Sequence, residues 1–177
     1  MCLYPVPFAY AKNIFEIDVN FYKKLGVKYL FMDLDNTIDS YLATVPTERT
    51  KQFVEMLISN EITPIIISNN LQSRVQKYAD ALNVKFLCKS GKPFPGKIKK
   101  YMKENRIDPN EVIMIGDQIT TDIRAAKKLK VKNVLVDKIV KEDQITTRFN
   151  RFFEKPFRNQ MAKKNKLINW RTIYGEM

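Results

Sequence analysis

Residues 27–37 read VKYLFMDLDNT, an apolar run that ends in two aspartates separated by one leucine. A continuous apolar run of this length is typical of a strand that is covered on both faces of a sheet. Because side chains alternate along a strand, Asp33 and Asp35 are predicted to point to the same side, with Leu34 opposite. The stretch therefore predicts a strand that delivers two carboxylates to the edge of a sheet.

Short apolar runs of this kind alternate with longer helical stretches along the chain. Strands are predicted at residues 27–34, 62–68, 84–88, 111–115 and 133–136. Helices are predicted between and after them at residues 47–60, 72–82, 96–105 and 122–129. This order is typical of βαβ units around a parallel sheet, so the sequence predicts an α/β fold with three layers, of Rossmann-like type.

Polar side chains follow four of the predicted strands at the point where each strand ends. They are Asp33 and Asp35, Ser68 and Asn69, Lys92, and Asp117 with Asp122. In an open parallel sheet these ends meet at one edge, where ligands of such folds bind. Closely spaced carboxylates repel each other, and their oxygen atoms suit Mg²⁺ as the neutralising cation. Together with a lysine and a hydroxyl, they predict a site for a phosphoryl group.

The same residues predict a mechanism with a covalent intermediate. One aspartate attacks phosphorus and forms an aspartyl-phosphate. The second protonates the leaving oxygen and then activates water for hydrolysis. Mg²⁺ and the lysine stabilise the charge on the transferring group.

The motifs Asp33-Leu34-Asp35-Asn36-Thr37, Ser68, Lys92 and Gly116-Asp117 with Asp122, in that order, resemble those of the haloacid dehalogenase (HAD) superfamily phosphatases. The resemblance implies that Asp33 is the nucleophile and Asp35 the general acid and base. Dehalogenases of the superfamily lack the second acid, so the resemblance is to the phosphatases.

The resemblance also assigns the remaining residues of the site. It implies a Mg²⁺ ion held by Asp33, by Asp117 and by the backbone carbonyl of Asp35. Ser68 and the backbone around Leu34 and Asn69 would hold the phosphoryl group. Thr37 would brace the nucleophile loop on this substrate-binding side. Lys92 would neutralise charge, and Asp122 would orient Lys92 or a water molecule on the metal.

The composition excludes several other classes of enzyme. The chain has 177 residues with no histidine, which excludes a Ser-His-Asp triad, a Cys-His pair and a histidine-ligated zinc site. Its two cysteines cannot form a disulfide framework, which predicts a reducing compartment. A P-loop sequence is absent, and no acid follows the third predicted strand, where a response-regulator receiver domain carries its phosphoacceptor.

HAD phosphatases often carry a cap domain over the active site, and this sequence leaves no room for one. Only nine residues separate Thr37 from Thr47, and one helix and one strand separate Ser68 from Lys92. An uncapped site predicts a substrate presented by something large, such as a lipid headgroup, a nucleic-acid end or a phosphoprotein.

The net charge of +12 is concentrated in two segments. Residues 81–103 hold seven lysines and no acid, and residues 141–177 hold nine basic and four acidic residues. In the second segment Ile145, Phe149, Phe152 and Phe153 fall on one helical face, flanked by basic residues. This face fits either an interfacial membrane helix or packing on the core, and Pro156 predicts the end of the helix.

Residues near both ends extend the resemblance to a subclass. Asn13 to Asp18, Ser68-Asn69-Asn70, Gly116-Asp117-Gln118 and Thr147 to Arg151 are similar to the bacterial subclass IIIA HAD phosphatases and to phosphatidylglycerophosphate phosphatases. That resemblance implies hydrolysis of phosphatidylglycerophosphate to phosphatidylglycerol. Asp39-Ser40 and the tail beyond Arg158 depart from the pattern.

These observations predict a phosphatase core with an N-terminal arm at residues 1–140 and a basic amphipathic extension at residues 141–177. The expected partner is an anionic phospholipid or membrane surface. A phosphatase of nucleic-acid ends or phosphoproteins and a non-catalytic RNA- or ribosome-associated module stay open as alternatives. No signal segment or apolar run of about 20 residues is present, so we expect a cytoplasmic protein, peripheral at the inner membrane face if its substrate is a lipid.

Overall fold

The computed structural model describes residues 5–139 and 145–177, and for residues 145–153 it describes the backbone alone. The strands are β1 (Ala9–Ala11), β2 (Tyr29–Met32), β3 (Thr63–Ile67), β4 (Lys85–Leu87), β5 (Val112–Gly116) and β6 (Lys132–Val136). The helices are α1 (Val19–Lys24), α2 (Glu48–Ser59), α3 (Gln72–Leu82), α4 (Gly96–Glu104), α5 (Arg124–Leu129), α6 (Ile145–Lys163) and α7 (Trp170–Glu176). The strands form one parallel sheet in the order β1-β6-β5-β2-β3-β4.

Helices cover both faces of the sheet, which confirms the predicted three layers. Alternation along β2 shows how the two cores are separated: Leu30 and Met32 pack in the core with α1, α2, α3 and α7. Phe31, between them, packs in the opposite core with α4 and α5. Continuous apolar strands follow from this arrangement, because neither face of the sheet meets water.

The order of the strands places a crevice beside β2. From β2 the chain adds β3 and β4 on one side, then crosses to β5 on the other side of β2. Met32 is in register with Ile66 of β3 and with Ile115 of β5, so the carboxyl ends of the three strands lie next to one another. A reversal of strand order of this kind is where ligands of open α/β sheets bind.

The described residues contain no domain inserted over this edge. The segment from Thr37 to α2 holds turns and bends, and α2 begins after Thr47, whose side chain accepts a hydrogen bond from the Thr50 amide. Between Ser68 and Lys92 the chain forms only α3 and β4. The described part of the chain is therefore uncapped, as predicted.

The sequence analysis did not predict β1 or α7. β1 has three residues, which is too short for a periodic pattern, and it pairs in parallel with β6 through Ala9 and Val134. The Tyr10 amide donates to the Ile168 carbonyl at 2.8 Å, so the segment before α7 lies along the outer edge of β1. The Trp170 ring packs edge-on against Phe21, with 5.7 Å between centroids. Both regions next to the chain ends thus belong to the packed fold.

α6 continues through Pro156, so the predicted end of the helix at that residue was wrong. Proline removes one backbone donor, but the following turns are held by tertiary contacts. Met161 is buried in a small cluster with Ile119, Ile123 and Leu135. The side chains of the predicted apolar face, from Ile145 to Phe153, lie outside the described residues, as does the predicted domain boundary at residue 140. Among the helices that are described, none is long and apolar enough to cross a bilayer.

Candidate active site

Asp33 lies directly after β2 and is fixed by contacts to both its backbone and its side chain. Its amide donates to the Ile115 carbonyl at 2.9 Å, which extends the ladder between β2 and β5 by one residue. The Thr37 hydroxyl donates to Asp33 Oδ2 at 3.3 Å, and Lys92 Nζ donates to Asp33 Oδ1 at 2.6 Å. The carboxylate is therefore held at the sheet edge in one orientation.

Lys92 reaches the same point from the loop after β4. Its ammonium group donates to Asp33 Oδ1 and to the Ile67 carbonyl, at 2.6 and 2.7 Å, and forms an ion pair with Asp122 Oδ1 at 2.7 Å. Three acceptors match the three donors of an ammonium group. The Lys92 side chain is 2 % exposed, so these contacts replace its hydration.

The Asn69 side chain supports the Lys92 loop. Its Oδ1 accepts from the Lys92 amide at 2.9 Å and from the Ser90 hydroxyl at 2.8 Å, and its Nδ2 donates to the Lys92 carbonyl at 2.9 Å. Because these contacts use the Asn69 side chain, we expect its backbone amide to contact the substrate. Ser68 is buried beside it and accepts from the Asn70 amide at 3.1 Å. Because that contact uses only the oxygen, the Ser68 hydroxyl hydrogen can still be donated to a ligand.

Asp117 and Asp122 approach Asp33 from the end of β5. The chain after Asp117 forms a π-helical turn, Ile119–Ile123, which sets the Asp122 side chain back over Gly116. A methyl group added to Gly116 would overlap Asp122, so this close approach needs glycine. The Gln118 amide donates to Asp122 Oδ2 at 3.1 Å. Such π-helical turns occur frequently at functional sites.

The three buried carboxylates form a cluster. Asp33, Asp117 and Asp122 each place an oxygen within 4.8 Å of the others. The expected Mg²⁺ site included Asp33 and Asp117, and the structure adds the Asp122 carboxylate to their neighbourhood. A compact set of carboxylate oxygens fits a hard divalent cation such as Mg²⁺.

Burial and neighbouring charges shift the pKa of both groups in the central ion pair. Burial raises the pKa of Asp33 well above its ordinary value; Lys92 lowers it, and Asp122 and Asp117 raise it further. Burial lowers the pKa of Lys92, but the charges of Asp122 and Asp33 outweigh burial and raise it. Lys92 therefore stays charged at neutral pH and supplies a fixed positive charge beside Asp33.

Asp35 has a different environment from Asp33. The sequence analysis predicted that strand alternation sets the relative direction of the two carboxylates. β2 ends at Met32, before both aspartates, so strand alternation does not set it. Asp35 Oδ2 accepts from Asn70 Nδ2, and Asp35 Oδ1 accepts from the guanidinium of Arg74. The loop after β3 and the first turn of α3 therefore fix the side chain of the expected acid and base.

The sequence analysis did not identify Arg74. A signal was present, because Arg74 lies in the first turn of α3, four residues after the end of the Ser68-Asn69-Asn70 motif. The positive end of the helix dipole lies there and disfavours a cation. An arginine at such a position predicts an acidic partner nearby, although the sequence does not say which.

Asp39, noted as a departure from the family pattern, has a supporting position. It is buried and accepts from the Thr47 amide at 3.0 Å, from the hydroxyls of Thr47 and Thr50 at 2.9 Å each, and from the Tyr78 hydroxyl. Burial and then this bond to Asp39 raise the pKa of Tyr78. These contacts fasten the segment after Thr37 to α2 and α3.

Comparisons with known proteins agree with this geometry. A family model described as HAD-hydrolase-like matches residues 89–150, which include Lys92, Asp117 and Asp122. The probable phosphatase YqeG of Bacillus subtilis (strain 168) is 28% identical over 165 residues, covering 93% of this chain and 95% of that protein. A shorter match of 51 residues, 41% identical, is to the D-glycero-beta-D-manno-heptose-1,7-bisphosphate 7-phosphatase of Pasteurella multocida (strain Pm70), covering 29% of this chain and 27% of that protein.

Solved structures support the fold. An uncharacterised protein from Listeria monocytogenes serotype 4b superimposes with a TM-score of 0.54 at 12% identity, covering 67% of this chain and 85% of that one. A hypothetical protein from Xanthomonas campestris gives a TM-score of 0.51 at 14% identity, covering 75% of this chain and 73% of that one. The parallel sheet and the cluster around Lys92 agree with the similarity to HAD-hydrolase-like proteins and to the probable phosphatase YqeG. The similarity to these two phosphatases agrees with the prediction of a phosphoric monoester hydrolase.

Proposed function

We propose that the chain is a Mg²⁺-dependent phosphatase that forms an aspartyl-phosphate on Asp33 and acts on a lipid-borne phosphomonoester. The substrate that we propose is phosphatidylglycerophosphate, with phosphatidylglycerol as the product. The observation that carries the chemistry is the buried Lys92 ammonium, which contacts Asp33 and Asp122 at 2.6 and 2.7 Å, close to Asp117. A phosphoryl group brought to this edge meets a nucleophile and a fixed cation at once.

The buried oxygens of Asp33, Asp117 and Asp122 suit the proposed metal ion. The backbone carbonyl of Asp35 is the further ligand that the family resemblance implies. When bound, Mg²⁺ would neutralise charge on the phosphoryl oxygens and orient the group for attack. Lys92 supplies a further positive charge, in contact with Asp33 Oδ1.

The chain's own residues account for each proton and bond. An oxygen of Asp33 attacks phosphorus, the bond from phosphorus to the ester oxygen breaks, and Asp35 gives its proton to the departing alcohol. Asp35, now ionised, takes a proton from the water that attacks the aspartyl-phosphate. The new bond to water oxygen releases inorganic phosphate and restores the Asp33 carboxylate. The Ser68 hydroxyl and the backbone amides of Leu34 and Asn69 hold the other phosphoryl oxygens.

Two features of the described surface support a lipid substrate. Among the described residues none forms a cap over the site, so a phosphate that stays attached to a bilayer can reach it. Between α4 and α5, a cavity of about 560 Å³ has four lysines in its wall, and no acid: Lys99, Lys103, Lys128 and Lys130. Anionic lipids attract such lysines by about 1 kcal/mol each when they lie near the surface.

Phe94 adds an apolar group to this basic face. It follows the Lys92 loop, is 71 % exposed, and lies under Lys128 Nζ, which is 4.9 Å from the ring centroid. An exposed aromatic ring beside a cation is suited to the boundary between headgroups and acyl chains. The described part of α6, by contrast, packs on the protein through Glu154 and Met161. We therefore assign the first membrane contact to the α4–α5 face.

The test is a comparison of substrates. The purified chain with Mg²⁺ is incubated with vesicles containing phosphatidylglycerophosphate, with a 3′-phosphorylated oligonucleotide and with a phosphopeptide, and released phosphate is measured. We expect turnover of the lipid and little of the other two. Turnover of the oligonucleotide or phosphopeptide without the lipid would overturn the lipid assignment.

Asp33→Asn tests the chemistry independently of the substrate. The amide cannot act as the nucleophile, so we expect activity on every substrate to fall to background. Asp80→Asn, an exposed position on α3, is the matched control and should keep full activity. Retention of activity in Asp33→Asn would reject the aspartyl-phosphate mechanism.

A further inference from the structure

The Asp35 carboxylate is held by an arginine that the reaction scheme above does not use. Arg74 Nε lies 3.1 Å from Asp35 Oδ1, and Arg74 Nη2 donates to the same oxygen. Asn70 Nδ2 donates to the other oxygen, Oδ2. Both oxygens of Asp35 therefore have donors from the segment that follows β3, and the carboxylate cannot turn without breaking them.

The same guanidinium also binds the segment at the mouth of the site. Arg74 Nη1 donates to the Ala43 carbonyl at 3.2 Å, and Arg74 Nη2 donates to the Tyr41 carbonyl at 2.8 Å. One side chain thus connects α3, Asp35 and residues 41–43. The planar fork of a guanidinium can satisfy several acceptors in fixed directions, which an ammonium group cannot do.

Stability alone does not explain this arrangement. The side chains of Arg74 and Asp35 are 26 % and 19 % exposed, and ion pairs that are accessible to water contribute about 0–1 kcal/mol. In addition, Arg74 lies in the first turn of α3, where the helix dipole disfavours a positive charge. The contacts are directional, numerous and centred on the one carboxylate that must transfer protons.

We propose that Arg74 is a positioning residue for the general acid and base. It holds the Asp35 carboxylate in a fixed direction and binds residues 41–43 beside it. Asp35 is then already in the rotamer that reaches the leaving oxygen. In this role Arg74 acts on the reaction through Asp35. This inference rests on the proposed function, because it assumes that Asp35 gives a proton to the leaving alcohol.

The test compares substrates whose leaving groups differ in their need for a proton. p-Nitrophenolate leaves as a stable anion, whereas the alkoxide of glycerol phosphate must be protonated as it leaves. kcat/KM is the measured quantity, because it covers steps up to phosphoenzyme formation and excludes the later hydrolysis. For Arg74→Met we expect kcat/KM to fall about 100-fold with glycerol phosphate, within the usual contribution of general acid catalysis, and only slightly with p-nitrophenyl phosphate.

Two further variants control the experiment. Lys77→Met removes a positive charge from the exposed side of the same helix and should leave kcat/KM unchanged for both substrates. Arg74→Lys keeps the charge without the fork, and we expect it to restore only part of the loss. Activity of Arg74→Met on p-nitrophenyl phosphate also reports that the variant is folded.

The outcomes separate this inference from the proposed function. An equal loss of kcat/KM with both substrates, or no loss with either, would overturn the role of Arg74 while Asp33→Asn still abolishes activity. If Asp33→Asn remains active, the aspartyl-phosphate mechanism fails, and the positioning role fails with it.

Discussion

At the scale of single residues, the ammonium group of Lys92 is the centre of the site. It lies between Asp33 and Asp122 and is almost fully buried. Removing one partner of a buried ion pair leaves a charge without compensation, which destabilises proteins by about 3–5 kcal/mol. The ion pair between Lys28 and Glu111 is equally short, at 2.6 Å, but Lys28 is 65 % exposed and the pair is solvated. Burial, and not distance, distinguishes the two lysines.

We therefore predict that Lys92→Met, without Mg²⁺, lowers the free energy of unfolding by about 3–5 kcal/mol and lowers activity with Mg²⁺ by at least about 100-fold. Urea unfolding followed by the fluorescence of Trp170 measures the first effect. Lys28→Met is the control, with an expected loss below about 1 kcal/mol.

A double-mutant cycle shows whether the loss arises from the pair. Asp33→Asn should destabilise the Lys92→Met background less than it destabilises the original chain, because the unpaired carboxylate has then been neutralised. Additivity of the two changes within about 0.5 kcal/mol would contradict this prediction.

At the scale of elements, α6 supports the turn that carries Asp122. Glu154 is buried on α6, and its carboxylate accepts from the Thr120 amide at 2.6 Å and from the Thr120 hydroxyl. Thr120 belongs to the π-helical turn Ile119–Ile123. Arg158, one turn further along α6, donates to the Val136 carbonyl at 2.9 Å and pairs with Asp137 at 2.6 Å. The helix thus fixes the loops after β5 and β6 from outside the site.

The Glu154 contact gives stability a defined pH dependence. Burial raises the pKa of Glu154 from its ordinary value of 4.5, although the bonds to Thr120 lower it. A group whose pKa is raised in the folded protein contributes stability below its unfolded pKa and loses that contribution as the pH rises through its folded pKa. We predict that the stability of the original chain relative to Glu154→Gln is highest near pH 4 and declines toward pH 7.

Urea unfolding at a series of pH values measures this difference. Glu55→Gln, at an exposed position on α2, makes the same change in charge and should show no such trend. If the stability of the original chain relative to Glu154→Gln rises with pH instead, the bonds to Thr120 outweigh burial.

At the scale of the whole molecule, the segments near the two chain ends pack against each other. The segment at Ile168 and Asn169 lies along β1, and α7 packs Trp170 into the core beside Phe21. Lys24 Nζ lies 4.4 Å from the ring centroid of Tyr174, which joins α1 and α7. An edge strand as short as β1 has few contacts of its own, so it depends on this cover.

Trp170→Ala tests that dependence. Trp170 is 4 % exposed, and truncation of a buried aromatic side chain costs about 3–5 kcal/mol, so we predict a loss of unfolding free energy in that range. Circular dichroism during urea unfolding is the measurement, because the variant lacks the tryptophan signal. Phe94→Ala removes an exposed ring; its stability should stay within about 0.5 kcal/mol of the original. A similar loss in both variants would contradict the assignment of α7 to the core.

Much of the fold and of the site could be predicted because the signals were local. The apolar runs β2, β3 and β5 each carry their own strand signal, and each is followed by its polar residues. The rule that parallel strands open at one edge then brings Asp33, Ser68, Lys92 and Asp117 together without any coordinates. The predictions failed where a short element had no period, as in β1, or where packing outweighed a local rule, as at Pro156 in α6.

Local sequence patterns were enough to predict the parallel α/β sheet, the lack of room for an inserted cap, and the kinds of side chain that meet at the sheet edge. The partner of each carboxylate became known from the folded structure: Lys92 for Asp33 and Asp122, and Arg74 for Asp35. The cause is the separation along the chain between the residues that interact. Strand and turn propensities act over a few residues, whereas Arg74 and Lys92 reach acids 39 and 59 positions away, and such contacts depend on how the helices and loops pack.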